Sequence, residues 1–196
     1  MILDKFKNYN IILASKSPRR QVLLGQLDVN FKVANIIDID ESYNDSIKAG
    51  DIPKYLSQKK AKAYINELKN NDILITADTI VWLNNRALNK PKDRVEAIKM
   101  IQSLSNNSHK VYTGVTISSK EKSQTFVSET KVIFKKLTDD EIVYYVDKYK
   151  PFDKAGAYGI QEWIGYIGIT RIEGSYFNVM GLPVQQLYSE LLKFIK

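Results

Sequence analysis

Asp78 follows the apolar run Ile73-Leu74-Ile75-Thr76-Ala77 directly. A carboxylate at the carboxyl end of a buried strand is well placed to ligate a metal or activate a water. The competing reading is a turn in which the side chain caps its own backbone. A second concentration of polar groups, Ser15-Lys16-Ser17-Pro18-Arg19-Arg20, stands where Leu13-Ala14 gives way to a helix start. Free backbone N–H groups at a helix start and two forked guanidinium groups attract phosphate; the alternative is an ordinary cap with two solvated arginines. The segment is no glycine-rich phosphate loop, because no Gly-x-x-x-x-Gly-Lys-Ser/Thr run occurs. Lys90 precedes Pro91, which biases it toward an extended backbone; it reads equally as a surface lysine.

Further along, Asp153-Lys154-Ala155-Gly156-Ala157-Tyr158-Gly159-Ile160-Gln161 sets two glycines around an aromatic ring. Glycines at that density mark close backbone approach or positive φ. Asp153 and Gln161 are residue types that read metals and base edges, and a tight structural turn is the other explanation. Gly174 to Val184 reads as a loop entering a helix, with Gly181 and Pro183 as its punctuation.

Several chemistries are excluded. The chain has no cysteine and one histidine, His109, so thiolate nucleophiles, disulfides and His/Cys metal centres are absent. No Gly-x-Ser-x-Gly run supports a serine hydrolase. A bound metal must take oxygen ligands, which favours magnesium or manganese. The net charge of +7 fits a polyanionic partner, whether nucleic acid, anionic lipid or small molecule, and fits equally a lysine-rich surface. No helix-turn-helix or RNA-recognition signature accompanies it.

The elements that must position these groups read as α/β. The 196 residues, 44% hydrophobic, suffice for a core without staples, and a single domain over residues 1–196 is expected. Met1 to Lys7 has no apolar leader core and no apolar run reaches membrane-spanning length, so the expected location is the cytoplasm. Strands are predicted at Ile11–Ala14, Phe31–Ile36, Ile73–Leu83, Lys110–Ser118, Gln124–Lys135 and Gly165–Ile172. Helices are predicted from Ser17-Pro18 through Leu27, from Asp51 to Leu68, and from Pro183 to Ile195. Two more follow the capping-box patterns Asp93-x-x-Glu96 and Thr138-x-x-Glu141, ending at Leu104 and Tyr149. Early alternation followed by hairpins argues for a mixed sheet with helices around it.

Taken in order, Leu13–Arg20, Ala77-Asp78-Thr79, Lys90-Pro91, His109-x-Val111-x-Thr113-Gly114-Val115, Asp153–Gln161 and Gly174–Val184 closely resemble the Maf family. The resemblance implies a mixed twisted sheet with flanking helices and two lobes around a cleft, related to inosine triphosphate pyrophosphatases. It implies hydrolysis of a nucleoside triphosphate to monophosphate and pyrophosphate with a divalent cation (Mg2+, Mn2+ or Co2+), often as a homodimer, with no nucleic-acid or membrane partner. Carried across, Ser15, Arg19 and Arg20 match the phosphate-binding start. Glu41, Asp78 and Lys90 match catalytic positions, and Lys60 matches a further site position. Glu41 and Asp78 would hold the metal or activate water, with Asp40 an adjacent candidate for the former; Arg20 and Lys90 supply charge, Thr79 bonds the base, and Gln161 reads a pyrimidine edge. Ala77-Asp78-Thr79 and Arg19 fit the family's dTTP/UTP branch better than its 7-methyl-GTP branch, which stays as the alternative beside a non-catalytic regulatory protein. Two departures stand out: Asn89 before Lys90, and Glu162-Trp163 after Gln161, where glycine is usual.

Overall fold

The computed structural model describes residues 2–195; Met1 and Lys196 lie outside the described residues. Its strands are β1 (Asn10–Leu13), β2 (Phe31–Val33), β3 (Asp72–Leu83), β4 (Arg86–Leu88), β5 (Ser108–Ser118), β6 (Ser123–Phe134) and β7 (Ile169–Glu173). Its helices are α1 (Pro18–Gly25), α2 (Asp51–Tyr64), α3 (Arg94–Leu104), α4 (Asp139–Tyr149), α5 (Trp163–Gly168), α6 (Tyr176–Met180) and α7 (Val184–Phe194). The strands form one seven-stranded sheet in the order β2-β1-β3-β5-β6-β7, with β4 also on β3. β1 runs parallel to β2 and β3, and the remaining pairings are antiparallel.

β3 organises the molecule. It is apolar nearly throughout and buried on both faces, as a central strand must be. On one face Ile73, Ile75 and Ala77 pack with Leu23, Leu24, Leu187 and Leu191 from α1 and α7. Farther along the same face, Val81 and Leu83 join Ile101, Ile142 and Tyr145 from α3 and α4. The opposite face, through Leu74 and Ile80, is covered by Ala61, Tyr64, Ile52 and Leu56 of α2. Two core clusters on one face of one strand make the two lobes.

The gap between them has a register cause. β1 ends at Leu13 opposite Ile75, and β4 pairs from Leu88 opposite Val81. Between those points the β1-side edge of β3 carries no strand, and the cleft opens there. Asn84 and Asn85, both at positive φ (49° and 60°), close the two-residue turn that folds β4 back.

The capping boxes differ. Thr138 and Glu141 satisfy each other's backbone N–H groups. Asp93 caps the Glu96 N–H, but the Glu96 carboxylate accepts from Lys92 instead of the cap residue. Ser17 sits at the cap position of α1 without a side-chain cap bond. The second strand stops at Val33, short of Ile36, and the helix from Asp51 ends at Tyr64 with a 3-10 turn, Ile65–Glu67. The expected strand Gly165–Ile172 is corrected more substantially: Trp163–Gly168 is helical, and the strand is Ile169–Glu173.

Two contacts lock the site-bearing elements and are testable. Gly114 on β5 lies against the first turn of α2, where a Cβ would stand 2.3 Å from the Pro53 carbonyl oxygen and 2.6 Å from the Lys54 nitrogen. Gly114→Ala must push α2 off the sheet, at about 1–3 kcal/mol, and α2 carries Lys60. We expect a lower denaturation midpoint together with at least a tenfold loss of turnover; unchanged stability and turnover would contradict this packing. His109, 2% exposed, places Nε2 2.7 Å from the Tyr158 hydroxyl while Nδ1 has no partner. Burial lowers its pKa to about 4. The unfolded chain therefore takes up a proton near pH 6.5 that the folded chain refuses until about pH 4. This contribution is complete above pH 6.5 and shrinks as the pH falls through that window, by about 2 kcal/mol at pH 5. Unfolding free energies extrapolated from urea titrations at pH 7.5 and pH 5 should differ less in His109→Gln than in wild type, by about that amount; equal pH sensitivity in the two proteins would refute it.

Candidate active site

The cleft encloses about 580 Å³ and is bordered by residues from both lobes and from the irregular segment 34–50. Alternation along β3 divides its chemistry. Asp78 points toward α2, and Thr79 toward α1 and the loop before α7.

On the α2 side, Lys60 Nζ lies 2.7 Å from Asp78 Oδ1 and 2.8 Å from Glu41 Oε1. Asp78 is 8% exposed, whereas the Glu41 side chain is half exposed on its loop. Burial pushes the Glu41 carboxyl up, but the hydrogen bond and charge of Lys60, helped by Lys90 and Arg20, outweigh it and hold the group below its ordinary value. α2 grips that loop at successive points. The Tyr64 hydroxyl accepts the Ile37 N–H at 2.9 Å, and Lys59 Nζ donates to Asp40 Oδ2 and the Ser42 carbonyl, each at 3.2 Å. Ser42 and Lys59 together hold the Asp40 carboxyl down at about 2. Glu41 borders the cleft and Asp40 does not, so the neighbouring carboxylates have different surroundings.

On the other side, Arg20 is a partly buried crosslink. Nε donates to the Gly181 carbonyl at 2.8 Å, Nη1 to Ser15 Oγ at 3.3 Å and the Ala77 carbonyl at 2.9 Å, and Nη2 to Thr79 Oγ1 at 2.9 Å. Four of its five N–H groups thus go to protein acceptors. Burial lowers its pKa, the Asp78 charge opposes that, and a guanidinium stays charged throughout. Thr79 Oγ1 also meets Thr113 Oγ1 at 2.9 Å. Arg19 is more open: Nη1 donates to Asp153 Oδ2 at 2.8 Å, and the side chain is 25% exposed. Burial raises the Asp153 carboxyl, but hydrogen bonds from Lys154 and Arg19 override it and leave the group below its usual value.

All nine candidates from the sequence (Ser15, Arg19, Arg20, Glu41, Lys60, Asp78, Thr79, Lys90 and Gln161) border this one cleft. Residue types alone did not single out the Gly181 carbonyl, the Thr113 hydroxyl or Lys154. For Lys154 the available signal was its place inside the glycine-rich run, where a lysine next to small residues has little room to reach solvent.

A divalent cation is compatible with this donor set. Among the described residues no group of three His, Cys, Asp or Glu side chains could hold a metal alone. Magnesium is commonly held by one or two carboxylates plus substrate phosphates, and Glu41 and Asp78, converging on one ammonium, supply two. Arg19, Lys90 and Lys16 border the same cleft and offer positive charge to a polyphosphate. Cations facing paired carboxylates suit phosphoryl-group chemistry.

The chain resembles known proteins along nearly its whole length. Residues 10–194 match the family described as Maf-like protein. The dTTP/UTP pyrophosphatase of Parabacteroides distasonis is 55% identical over 193 residues, covering 98% of this chain and all of that protein. That of Bacteroides thetaiotaomicron is 50% identical over 192 residues, again 98% of this chain and 100% of the relative. Among solved structures, a HAM1 protein from Coxiella burnetii superposes with a TM-score of 0.51 at 15% identity, covering 94% of this chain and 99% of that one; the likeness is one of fold. With the ordered motifs, the cleft they converge on and full-length relatives in agreement, the chain belongs to the Maf family.

Proposed function

We propose that this protein hydrolyses dTTP and UTP to the nucleoside monophosphate and pyrophosphate. The observation that carries the reading is the pair Asp78 and Glu41, joined through Lys60 in a cleft that Arg19 and Lys90 also border. Its full-length relatives bear that activity in their names.

The triphosphate chain lies against Arg19 and Lys90, which offset its charge before and during reaction. Lys60 fixes both carboxylates in direction and holds the Glu41 carboxyl below its ordinary value. Asp78, on a rigid strand, takes a proton from the water that attacks the α-phosphorus in line; the bond to the bridging oxygen breaks, and pyrophosphate leaves. Glu41 and Asp78 would hold a divalent cation (Mg2+, Mn2+ or Co2+), which when bound supplies Lewis-acid neutralisation of the phosphate oxygens. Thr79 and Gln161 face the base, while Ser15 and Arg20 set the shape of the α1 side. The family resemblance also carries a homodimer located in the cytoplasm; among the described residues no helix is long and apolar enough to cross a membrane, and light scattering tests the dimer.

The direct test is pyrophosphate release from a panel of canonical and modified triphosphates with each of the three cations, and with chelator. Release from dTTP and UTP that chelator abolishes is the expected result. Release from 7-methyl-GTP alone would move the chain to the other branch of the family, and no release from any nucleotide would overturn the enzymatic reading.

A further inference from the structure

Glu41 differs from the residues it meets in how it is held. Asp78 stands on β3 and Lys60 on α2, whereas residues 34–44 form neither helix nor strand. Among the described residues, no backbone group from 35 to 43 bonds another backbone group. The flanking bonds run from the Ala34 N–H to the Leu13 carbonyl and from the Ile47 N–H to the Asn44 carbonyl. A carboxylate on such a stretch has no ladder to fix it, yet a working ligand or base must be held within about 0.5 Å.

The stretch is tied instead to one helix. Among the described residues, every hydrogen bond and ion pair that reaches 35–43 from another part of the chain comes from α2. The Tyr64 hydroxyl accepts the Ile37 N–H at 2.9 Å, and Tyr64 is 5% exposed. Its ring belongs to an apolar cluster with Ala61, Leu68 and Leu74, on which Ile37 and Ile39 pack. Lys59 Nζ reaches Asp40 Oδ2 and the Ser42 carbonyl, each at 3.2 Å, and so grips the residue on each side of Glu41. Asp40 tightens that grip by accepting the Ser42 N–H at 2.9 Å. Tyr64 stands four residues beyond Lys60, on the same helix face. The ammonium that meets the Glu41 carboxylate and the hydroxyl that anchors its segment therefore come from one rigid surface. Lys59 does not border the cleft, so its influence on the site passes through the segment it holds.

We propose that Tyr64 and Lys59 are positioning residues for the reaction. They hold the segment on both sides of Glu41, so that its carboxylate stays directed at Lys60 beside Asp78, where the two carboxylates would ligate a divalent cation. The proposal rests on the metal-assisted reading above and names what fixes the less constrained of its two carboxylates. The two contacts differ in weight. The Tyr64–Ile37 bond lies against the apolar cluster, whereas Lys59 pairs with a carboxylate that is 71% exposed, an arrangement of small effect. Loss of a group that orients a metal's ligands commonly weakens the metal about 10- to 100-fold.

The test compares the full chain as wild type, Tyr64→Phe and Lys59→Met, each also in a Glu41→Gln background, with thermal midpoints to check folding. Mn2+ alone is titrated by electron paramagnetic resonance, and pyrophosphate release from dTTP is followed against cation concentration. Tyr64→Phe keeps the ring in its cluster and should raise both the Mn2+ dissociation constant and the half-activating concentration about 10- to 100-fold, with KM for dTTP little changed. Lys59→Met should raise them about 2- to 5-fold. In the Glu41→Gln background neither substitution should weaken Mn2+ binding or residual turnover further, because the carboxylate they direct is gone. Wild-type Mn2+ affinity in folded Tyr64→Phe would overturn the proposal. So would a loss of the same size in the Glu41→Gln background, which would make both side chains braces of the fold. Should Tyr64→Phe not fold, the surface variant Lys59→Met carries the same two comparisons. A wild type that binds no Mn2+ would deny the carboxylate pair its cation and overturn the proposal as well. If it binds Mn2+ but releases pyrophosphate from no nucleotide, the proposed function alone fails, and the Mn2+ affinities still decide the positioning role.

Discussion

Asp78→Asn is expected to lower kcat by about 10²–10³, the usual loss for one transition-state group, while leaving the protein folded. The asparagine keeps the shape of a side chain that is 8% exposed, and Lys60 retains Glu41 at 2.8 Å, so no buried ammonium is left unpaired. The thermal midpoint should therefore move little while turnover collapses. Metal titration then separates the two duties assigned to this carboxylate. If Asp78 is chiefly a ligand, raising the divalent cation restores much of the rate, and the concentration needed for half activation climbs. If it is chiefly the base, the rate stays low however much cation is added. Near-normal kcat at ordinary cation concentration would remove Asp78 from both roles and shift attention to Glu41.

The contrast between Asp78 and Glu41 shows why the strand residue was the more legible of the two. Asp78 follows five residues that could only be a buried strand, and the structure makes that strand the twelve-residue β3. Glu41 stands in a segment without periodicity, and nothing local said whether it or Asp40 would turn inward. That choice is made by α2, where Lys59 and Lys60 are consecutive and so face different directions; one takes Asp40 outside and the other takes Glu41 inside. Only the packed helix carries that information. The misread Gly165–Ile172 has a similar origin. Its tyrosine and β-branched residues suit a strand, but Gly165 passes the Ile160 carbonyl where a Cβ would stand 1.8 Å from the oxygen. That close approach seats a helix on the preceding turn, and no local propensity reports it.

Arg19 and Arg20 look interchangeable as charges for phosphate, yet helical periodicity already distinguishes them. Three and four residues beyond Arg20 come Leu23 and Leu24, both buried, whereas Arg19 has buried Leu23 four residues on but Val22, 59% exposed, three residues on, and so stands at the edge of the stripe. Arg20 therefore lies on the inward stripe of α1, and the structure spends its guanidinium on Ser15, Ala77, Thr79 and Gly181. Arg20→Lys keeps the charge and loses the fork. Three N–H groups radiating from one nitrogen cannot span acceptors on three separate segments, so at least one of the Ala77 and Gly181 carbonyls is left without its donor, at about 1–3 kcal/mol each. We expect a loss of about 3 kcal/mol in unfolding free energy, and about 100-fold in kcat/KM as Thr79 and Ser15 lose their common anchor. Inhibition by inorganic triphosphate should weaken far less, because the charge is still present and Arg19 and Lys90 remain. The opposite pattern, unchanged stability with triphosphate inhibition abolished, would mean that the guanidinium leaves its protein partners to bind phosphate. In that event Arg20 would act on the ligand directly.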